Sequence, residues 1–417
     1  MNLEGETGAW INWISNMHSD RTILVVNCGS SSVKVAAFAA DAELRRLWSG
    51  AAERIGMASG YFHAHDAAGA VLADDGRQFA DHQAAIDAFL DLFMASGQES
   101  SVRAFAHRVV HGGPRCDCPV VVNAALEAYL RRLVPLAPLH QPHNLAGIAA
   151  ARRARPDLPQ IACFDTAFHH GLPRLARFTA LPRSLEKVGI RRYGFHGLSY
   201  EYVLDELRRS NGGKALGERI IVAHLGNGAS MAAIREGRSV ETTMGFSTLG
   251  GLPMETRCGD LDPGILIYLL HEEDMTLPQV QHLLYEESGL LGISGISRNM
   301  KDLLARRDAP AAAEAVAFFC YQARKHLGAL TAVLGGLDRL VFTGGIGANA
   351  PAIRSGICDG LDHLGISIDA GRNARGERVI SAGDGTVRVE AFPTDEEEMI
   401  ARHTQLLLAD RSVAKEA

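Results

Sequence analysis

Residues 23–35 read as a strand, a Gly/Ser turn and a second strand: Ile23-Leu24-Val25-Val26, then Asn27-Cys28-Gly29-Ser30-Ser31-Ser32, then Val33-Lys34-Val35. Such a hairpin gathers backbone N–H groups and three hydroxyls around a phosphate-sized space, with a lysine on the exit strand. It differs from the GxxxxGK[ST] loop, which leads into a helix. The same order of parts returns at Ile220-Ile221-Val222-Ala223-His224-Leu225-Gly226-Asn227-Gly228-Ala229-Ser230-Met231, with Gly29 and Gly226, and Val25 and Val222, at equivalent places. One such turn is commonly an ordinary hairpin. Two in matching register, one in each half, point to a duplicated architecture with nucleotide held between the halves.

A third glycine turn spans Leu340 to Pro351, with glycines at 344, 345 and 347 where something must approach the backbone. It does not complete a dinucleotide fingerprint, because no acidic residue follows at the required distance. An adenosine-contacting loop is the better expectation, with a helix starting near Ala350.

The chain has 417 residues, enough for two domains with full cores. A net charge of −6 argues against a general nucleic-acid surface or a polybasic membrane anchor, though not against ATP. Its seven cysteines are scattered without a CxxC pair, which suits reduced thiols in a cytoplasmic protein. Glu4, Glu6 and the lack of Lys or Arg before Arg21 do not make a normal signal peptide. Residues 1–20 read as an extension with a short apolar patch at Trp10, Ile11, Trp13 and Ile14. No run approaches the ~18 apolar residues that a membrane span needs.

Along the chain, helices are expected at 82–95, 126–133 and from about Asn144 to Arg153, and strands at 104–110 and 160–164, with helices and strands alternating through Ile400. The pattern is α/β, in two similar domains: an extension 1–20, domain I over 21–166 with 397–417 packing back on it, and domain II over 167–396.

Several residues could carry chemistry. Arg108 ends a strand before His111-Gly112-Gly113, and Arg257 lies in the Gly/Pro/Asp-rich run 251–263; each is a loop staple or an anion clamp. His196, between glycines in Tyr193-Gly194-Phe195-His196-Gly197, is a hydrogen-bonded core histidine or a donor to phosphoryl oxygens, and His140, between Pro138 and Pro142, has the same two readings. Asp165 ends a strand at the expected domain junction, where it could orient an arginine or the waters of a metal. Thr394 and Glu397 fit a capping box, which leaves Glu396 available to Mg²⁺.

These motifs together resemble the acetate kinases, of the superfamily shared with sugar kinases, Hsp70 and actin: VVNCGSSSVK, HRVVHGG, APLH, FDTAFH, RRYGFHGLS, HLGNGAS, TMGFSTLGGLP with TRCGDLDP, GISGIS, FTGGIGAN and PTDEE, in that order from about Arg21 to Leu408. The resemblance implies two ribonuclease-H-like domains, a duplicated actin-like ATPase fold with the active site in the cleft between them. It implies reversible, direct in-line phosphoryl transfer from MgATP to acetate, giving acetyl phosphate and ADP, with Mn²⁺ able to replace Mg²⁺, in a cytoplasmic homodimer. By motif, Asn27 and Glu396 match metal positions. Lys34, Ser30, Ser32 and His224, Leu225, Gly226, Asn227, Gly228 match phosphate-side positions. Asn299, Met300, Lys301 and Gly345, Ile346, Gly347, Ala348, Asn349 match the nucleoside side. Arg108 matches the substrate arginine, with Val110, Leu139, Phe195 and Thr248 at the acyl group. Asp165, His196, Arg257 and His140 match catalytic positions.

The chain departs from the family at Arg298-Asn299-Met300-Lys301 (usually S-D-M-R), at Ala348 (GIGAN for GIGEN), at Gln141 (usually Asn) and at Thr248 (often Pro). One methylene in an apolar pocket discriminates by only ~1–3 kcal/mol, so a propionate or other short-chain acyl kinase is the alternative. A non-catalytic ATP switch of the actin or Hsp70 type would leave Arg108, His196 and Arg257 without a purpose.

Overall fold

The computed structural model describes residues 22–29, 31–57, 59–95, 101–212 and 217–416. Ser30 and the extension 1–20 lie outside them. The chain divides into two compact units: one runs to Ala167 and resumes at Asp395, and the other is Phe168–Thr394. Glu396 therefore belongs to the first.

The first unit is built on β1 (Thr22–Cys28), β2 (Ser32–Ala39), β3 (Arg46–Glu53), β4 (Tyr61–Asp66), β5 (Val71–Asp75), β6 (Val102–Val109), β7 (Val120–Val121) and β8 (Gln160–Phe164), in the sheet order β5-β4-β3-β2-β1-β6-β8-β7. All seven residues of β1 are buried, as a run of β-branched residues and leucine covered on both faces should be. It pairs antiparallel with β2 and parallel with β6. Helices α1 (His82–Ala95) and α3 (Gln141–Ala154) pack on this sheet, and α2 (Ala124–Arg132) packs against α3. Ile86, Phe89 and Phe93 of α1 enter the same core as Leu24, Val26, Trp48 and Phe105.

The second unit contains β9 (Arg219–Leu225), β10 (Ala229–Arg235), β11 (Arg238–Thr242), β12 (Arg339–Thr343) and β13 (Arg388–Ala391), in the order β11-β10-β9-β12-β13. Within the first sheet, β3-β2-β1-β6-β8 follows the same order and the same senses: two antiparallel pairs, then two parallel ones. Both glycine hairpins thus join the first and second strands of the same five-stranded motif. The fold is α/β and internally duplicated, as expected.

Three local expectations need correction. Helix α3 begins at Gln141, three residues early, because Pro142 sits in its first turn, where a missing N–H is harmless. Helices and strands do not simply alternate through the second half: the described residues between Thr242 and Arg339 hold helices and no strand, including α4 (Pro263–His271), α5 (Gly289–Ser294), α6 (Met300–Ala305) and α7 (Pro310–Leu334). The third glycine turn is itself a helix, α8 (Gly344–Asn349), followed by α9 (Pro351–Cys358). Among the described residues no helix is long and apolar enough to cross a membrane.

Candidate active site

In the first unit the hairpin sets out its polar groups by register. Asn27 and Lys34 are directly opposed across β1 and β2, so both side chains leave the same face of the sheet. The turn closes through the Gly29 N–H to the Ser32 carbonyl at 2.8 Å, and His82 Nε2 donates to the Gly29 carbonyl at 2.7 Å. Ser32 is half-buried and Lys34 exposed. Burial pushes the neighbouring Cys28 thiol up to about 12, which removes it from nucleophilic chemistry.

Arg108, at the end of β6, donates from Nε to Asp165 Oδ1 at 3.0 Å and from Nη2 to Asp165 Oδ2 at 2.7 Å. Its Nη1 lies 3.4 Å from Glu396 Oε2 and 3.5 Å from Asn27 Oδ1. Asn27 Nδ2 in turn donates to Glu397 Oε1 at 3.4 Å. Four sequence-predicted residues, Asn27, Arg108, Asp165 and Glu396, are therefore one network, with Glu397 added. Burial opposes the arginine's charge, but Asp165, Glu396 and Glu397 outweigh it and hold the guanidinium above its ordinary range.

Glu397 is where the capping-box expectation fails. The C-terminal helix (Glu396–Glu416) is capped one residue later than expected, by Asp395 Oδ1 accepting the Glu398 N–H at 2.8 Å, and the Thr394 hydroxyl has no hydrogen bond among the described residues. Arg46 holds Asp395 in this role, donating to both its carboxylate oxygens at 2.7 and 2.5 Å. Glu397 is thus turned toward Asn27 and not back to the helix start.

The chain leaving Arg108 is fixed from α3. Asn144 Oδ1 accepts the Val110 N–H while its Nδ2 donates to the Cys28 carbonyl, both at 2.9 Å, tying the Arg108 strand to the first hairpin. Gln141, fully buried, accepts from the His111 N–H at 3.3 Å and donates to the His111 carbonyl at 3.1 Å. The longer amide at this departure from the family is therefore used at both ends. Val110 is buried; Leu139 and His140, at the entry to α3, are half-buried.

The second unit gathers His196, His224, Gly228, Thr248 and Arg257. His196 stands in the left-handed region (φ 59°) at the start of the helix Gly197–Asn211. Two interactions hold this entry. His169 Nε2 donates to the Phe195 carbonyl at 3.0 Å, and the Tyr193 N–H bonds the Gly245 carbonyl at 3.0 Å. Gly194 (φ +76°) must lack a side chain, since a Cβ would lie 2.6 Å from the His169 ring. His169 was missed as a positioning residue, although it closes the FDTAFH motif.

The imidazoles of His196 and His224 stack at 4.3 Å, and Ser199 Oγ lies 2.8 Å from His224 Nδ1. A Cβ at Gly228 would be 2.9 Å from His196 Nε2 and 3.9 Å from Arg257 Nη1. Glycine leaves that place open to the two donors. Arg257 Nη1 is steadied by the Thr248 carbonyl at 3.4 Å and Met254 Sδ at 3.5 Å. Its loop is bonded to the next segment through Ser288 N–H to the Thr256 carbonyl (3.0 Å) and Leu290 N–H to the Met254 carbonyl (2.9 Å). Gly289 (φ +60°) permits the approach, for a Cβ there would lie 2.2 Å from the Met254 carbonyl oxygen. Phe195 and Thr248 are buried, and Asn227 is exposed at the tip of the second hairpin.

Helix α8 begins against this hairpin: an added Cβ on Gly226 would be 3.7 Å from the Gly345 N–H nitrogen, and one on Gly344 (φ +76°) 2.6 Å from the Leu225 carbonyl oxygen. Its far end is held by Arg354, fully buried, whose Nη1 donates to the Gly347 and Ala348 carbonyls at 2.8 Å and whose Nε donates to Asn373 Oδ1 at 2.7 Å. No pattern in the sequence marks this arginine. At the other nucleoside-side motif, Asn299 caps α6 by accepting the Lys301 N–H at 2.8 Å, and Met300 is buried beneath it.

The described residues hold no group of three or more His, Cys, Asp or Glu side chains able to bind a metal. Mg²⁺ keeps several waters and takes one or two protein carboxylates with substrate phosphates, so the hard oxygens of Asn27 and Glu396 fit it.

A family model described as the acetokinase family matches residues 22–402. The acetate kinase of Methylocella silvestris is 45% identical over 405 residues, covering 94% of this chain and 100% of that one. That of Rhodopseudomonas palustris is 47% identical over 390 residues, covering 91% and 97%. Among solved structures, Porphyromonas gingivalis acetate kinase superposes with a TM-score of 0.82 at 35% identity, over 93% of this chain and 100% of that one. A propionate kinase from Francisella tularensis gives 0.86 at 34% identity, over 92% and 98%. With a buried arginine–carboxylate pair in one unit, two donors converging over a glycine in the other, and a family match spanning both, the chain belongs to the acetokinase family.

Proposed function

We propose that the enzyme transfers the γ-phosphoryl group of ATP to acetate, reversibly and in line, forming acetyl phosphate and ADP. The convergence of His196 Nε2 and Arg257 Nη1 over Gly228 carries this reading, since phosphoryl transfer asks chiefly for donors around the oxygens of the group in flight. Acetate is ionised at neutral pH and attacks through its own oxygen, so no strong base is required. The new bond joins that oxygen to phosphorus as the bond to the ADP oxygen breaks.

In this reading Arg108, oriented by Asp165, binds the acetate carboxylate. Val110, Leu139, Phe195 and Thr248 are assigned to its methyl group. His196 and Arg257 stabilise the transferring group, with His140 a further donor. Lys34, Ser30, Ser32 and the segment His224–Gly228 take the phosphates; Asn299–Lys301 and Gly345–Asn349 take the nucleoside. Asn27 and Glu396 would hold Mg²⁺ (Mn²⁺ as substitute), which when bound neutralises phosphate charge.

We place the enzyme in the cytoplasm, where ATP is supplied and cysteine thiols stay reduced. A homodimer is supported by α4, which buries no residue and exposes Ile265, Ile267, Tyr268 and Leu270, with Tyr321 of α7 also exposed.

Trapping acyl phosphate as a hydroxamate, with MgATP and acetate, propionate or butyrate, tests the assignment. A kcat/KM highest for acetate is expected. A preference for propionate would move the enzyme to the alternative acyl kinase, and no product from any acid would defeat the reading.

A further inference from the structure

We propose that Tyr200 and Ser230 lock His196 in its neutral Nε2–H tautomer, so that the nitrogen facing Gly228 is a hydrogen-bond donor. Both are positioning residues, and the catalytic meaning of the lock rests on the role given to His196 above.

The assignment follows from counting protons in a place water does not reach. Ser230 Oγ lies 2.8 Å from His196 Nδ1 and 2.5 Å from the Tyr200 hydroxyl. Ser230 and Tyr200 are both 0% exposed. Among the described residues neither hydroxyl has another hydrogen-bond partner. Burial pushes the Tyr200 phenol up, so it keeps its proton.

A serine hydroxyl offers one hydrogen, and a neutral imidazole carries one N–H and one bare nitrogen. If Nδ1 held the proton, it would donate to Ser230. Then either the serine hydrogen or the tyrosine hydrogen would be buried with no acceptor, which folded proteins avoid. One arrangement satisfies all three groups: Tyr200 O–H donates to Ser230 Oγ, and Ser230 O–H donates to His196 Nδ1. The ring proton is then on Nε2, the atom 2.9 Å from where a Gly228 Cβ would stand. An uncharged donor also suits the surroundings, because Arg257 Nη1 approaches the same point and His224 stacks on the ring at 4.3 Å.

The test is the tautomer itself. In protein labelled with ¹⁵N-histidine, long-range NMR correlations distinguish Nε2–H from Nδ1–H rings, and the His196 signal is the one lost in His196→Gln. Wild type is expected to show Nε2–H. Ser230→Asp puts a carboxylate, which can only accept, opposite Nδ1, so a ring carrying Nδ1–H should appear. kcat should fall about 10²- to 10³-fold, as for loss of one donor to a developing charge, with both KM values within about 2-fold. Should Ser230→Asp not fold, Ser230→Ala is expected to strip Nδ1 of its donor, read as a shift of the Nδ1 ¹⁵N signal with a fall in kcat, and Ser230→Thr, which restores the hydroxyl, to recover both. An Nδ1–H ring in wild type, or a tautomer and kcat indifferent to these changes, overturns the proposal. A wild-type Nε2–H ring in a protein that phosphorylates no carboxylic acid would defeat the activity reading and leave the lock standing.

Discussion

Arg108 and Asp165 meet in a two-pronged pair, Nε to Oδ1 at 3.0 Å and Nη2 to Oδ2 at 2.7 Å, with the carboxylate side chain 1% exposed. Removing one partner of a buried pair leaves the other charge uncompensated, which costs several kcal/mol. Asp165→Ala should therefore lower stability by about 3 kcal/mol, the low end of that effect, because Glu396 still stands 3.4 Å from Arg108. Urea unfolding measures it, and a loss below about 1 kcal/mol would show the pair to be dispensable for the fold.

The open place at Gly228 can be closed by a single methyl group. Gly228→Ala puts a carbon 2.9 Å from His196 Nε2 and 3.9 Å from Arg257 Nη1. Misplacing catalytic groups by about 1 Å can cost on the order of 10²-fold in rate. We expect kcat to fall by about that factor with the melting temperature nearly unchanged. An active Gly228→Ala enzyme would place the chemistry elsewhere.

Arg257 offers a separate discrimination. If it acts on the transferring group and not on bound ATP, Arg257→Leu should reduce kcat by at least about 10²-fold and leave the ATP KM within a few-fold. Equal losses in turnover and affinity would assign it to ground-state binding.

Two buried histidines set an acid limit on the fold. Burial lowers both His107 and His169 from the ordinary 6.5 to about 4. Each is thus harder to protonate folded than unfolded. Their contribution is complete above pH 6.5 and is lost as pH falls from there through 4, by up to about 3 kcal/mol each. The urea midpoint should drop between pH 7 and 4.5, and His107→Gln should flatten the drop. A profile equally steep in that variant would point to other groups.

The duplicated hairpins were legible because each is a run of apolar residues broken by glycine and serine, a local pattern with one good reading. The network around Arg108 was legible only by motif, since Asn27, Asp165 and Glu396 come from three distant points of the chain. What escaped was context. Helix α8 looked like a turn because three of its six residues are glycine, and its last carbonyls are held by an arginine of the next helix that no motif marks. Asp395, not Thr394, caps the last helix because Arg46 fixes its carboxylate, a contact across 349 positions. His169 and Gln141 act by bonding backbone groups of other segments, and such work leaves no signature in residue type.

Arg354 holds α8 by its carbonyl oxygens at Gly347 and Ala348, groups that every amino acid presents alike. The side chains of that helix are therefore relieved of maintaining its shape. Position 348 can lose the glutamate usual in the GIGEN motif and carry alanine without the segment unravelling. Variation among relatives should concentrate at such tolerant outward positions, while the arginine that no motif marks stays put.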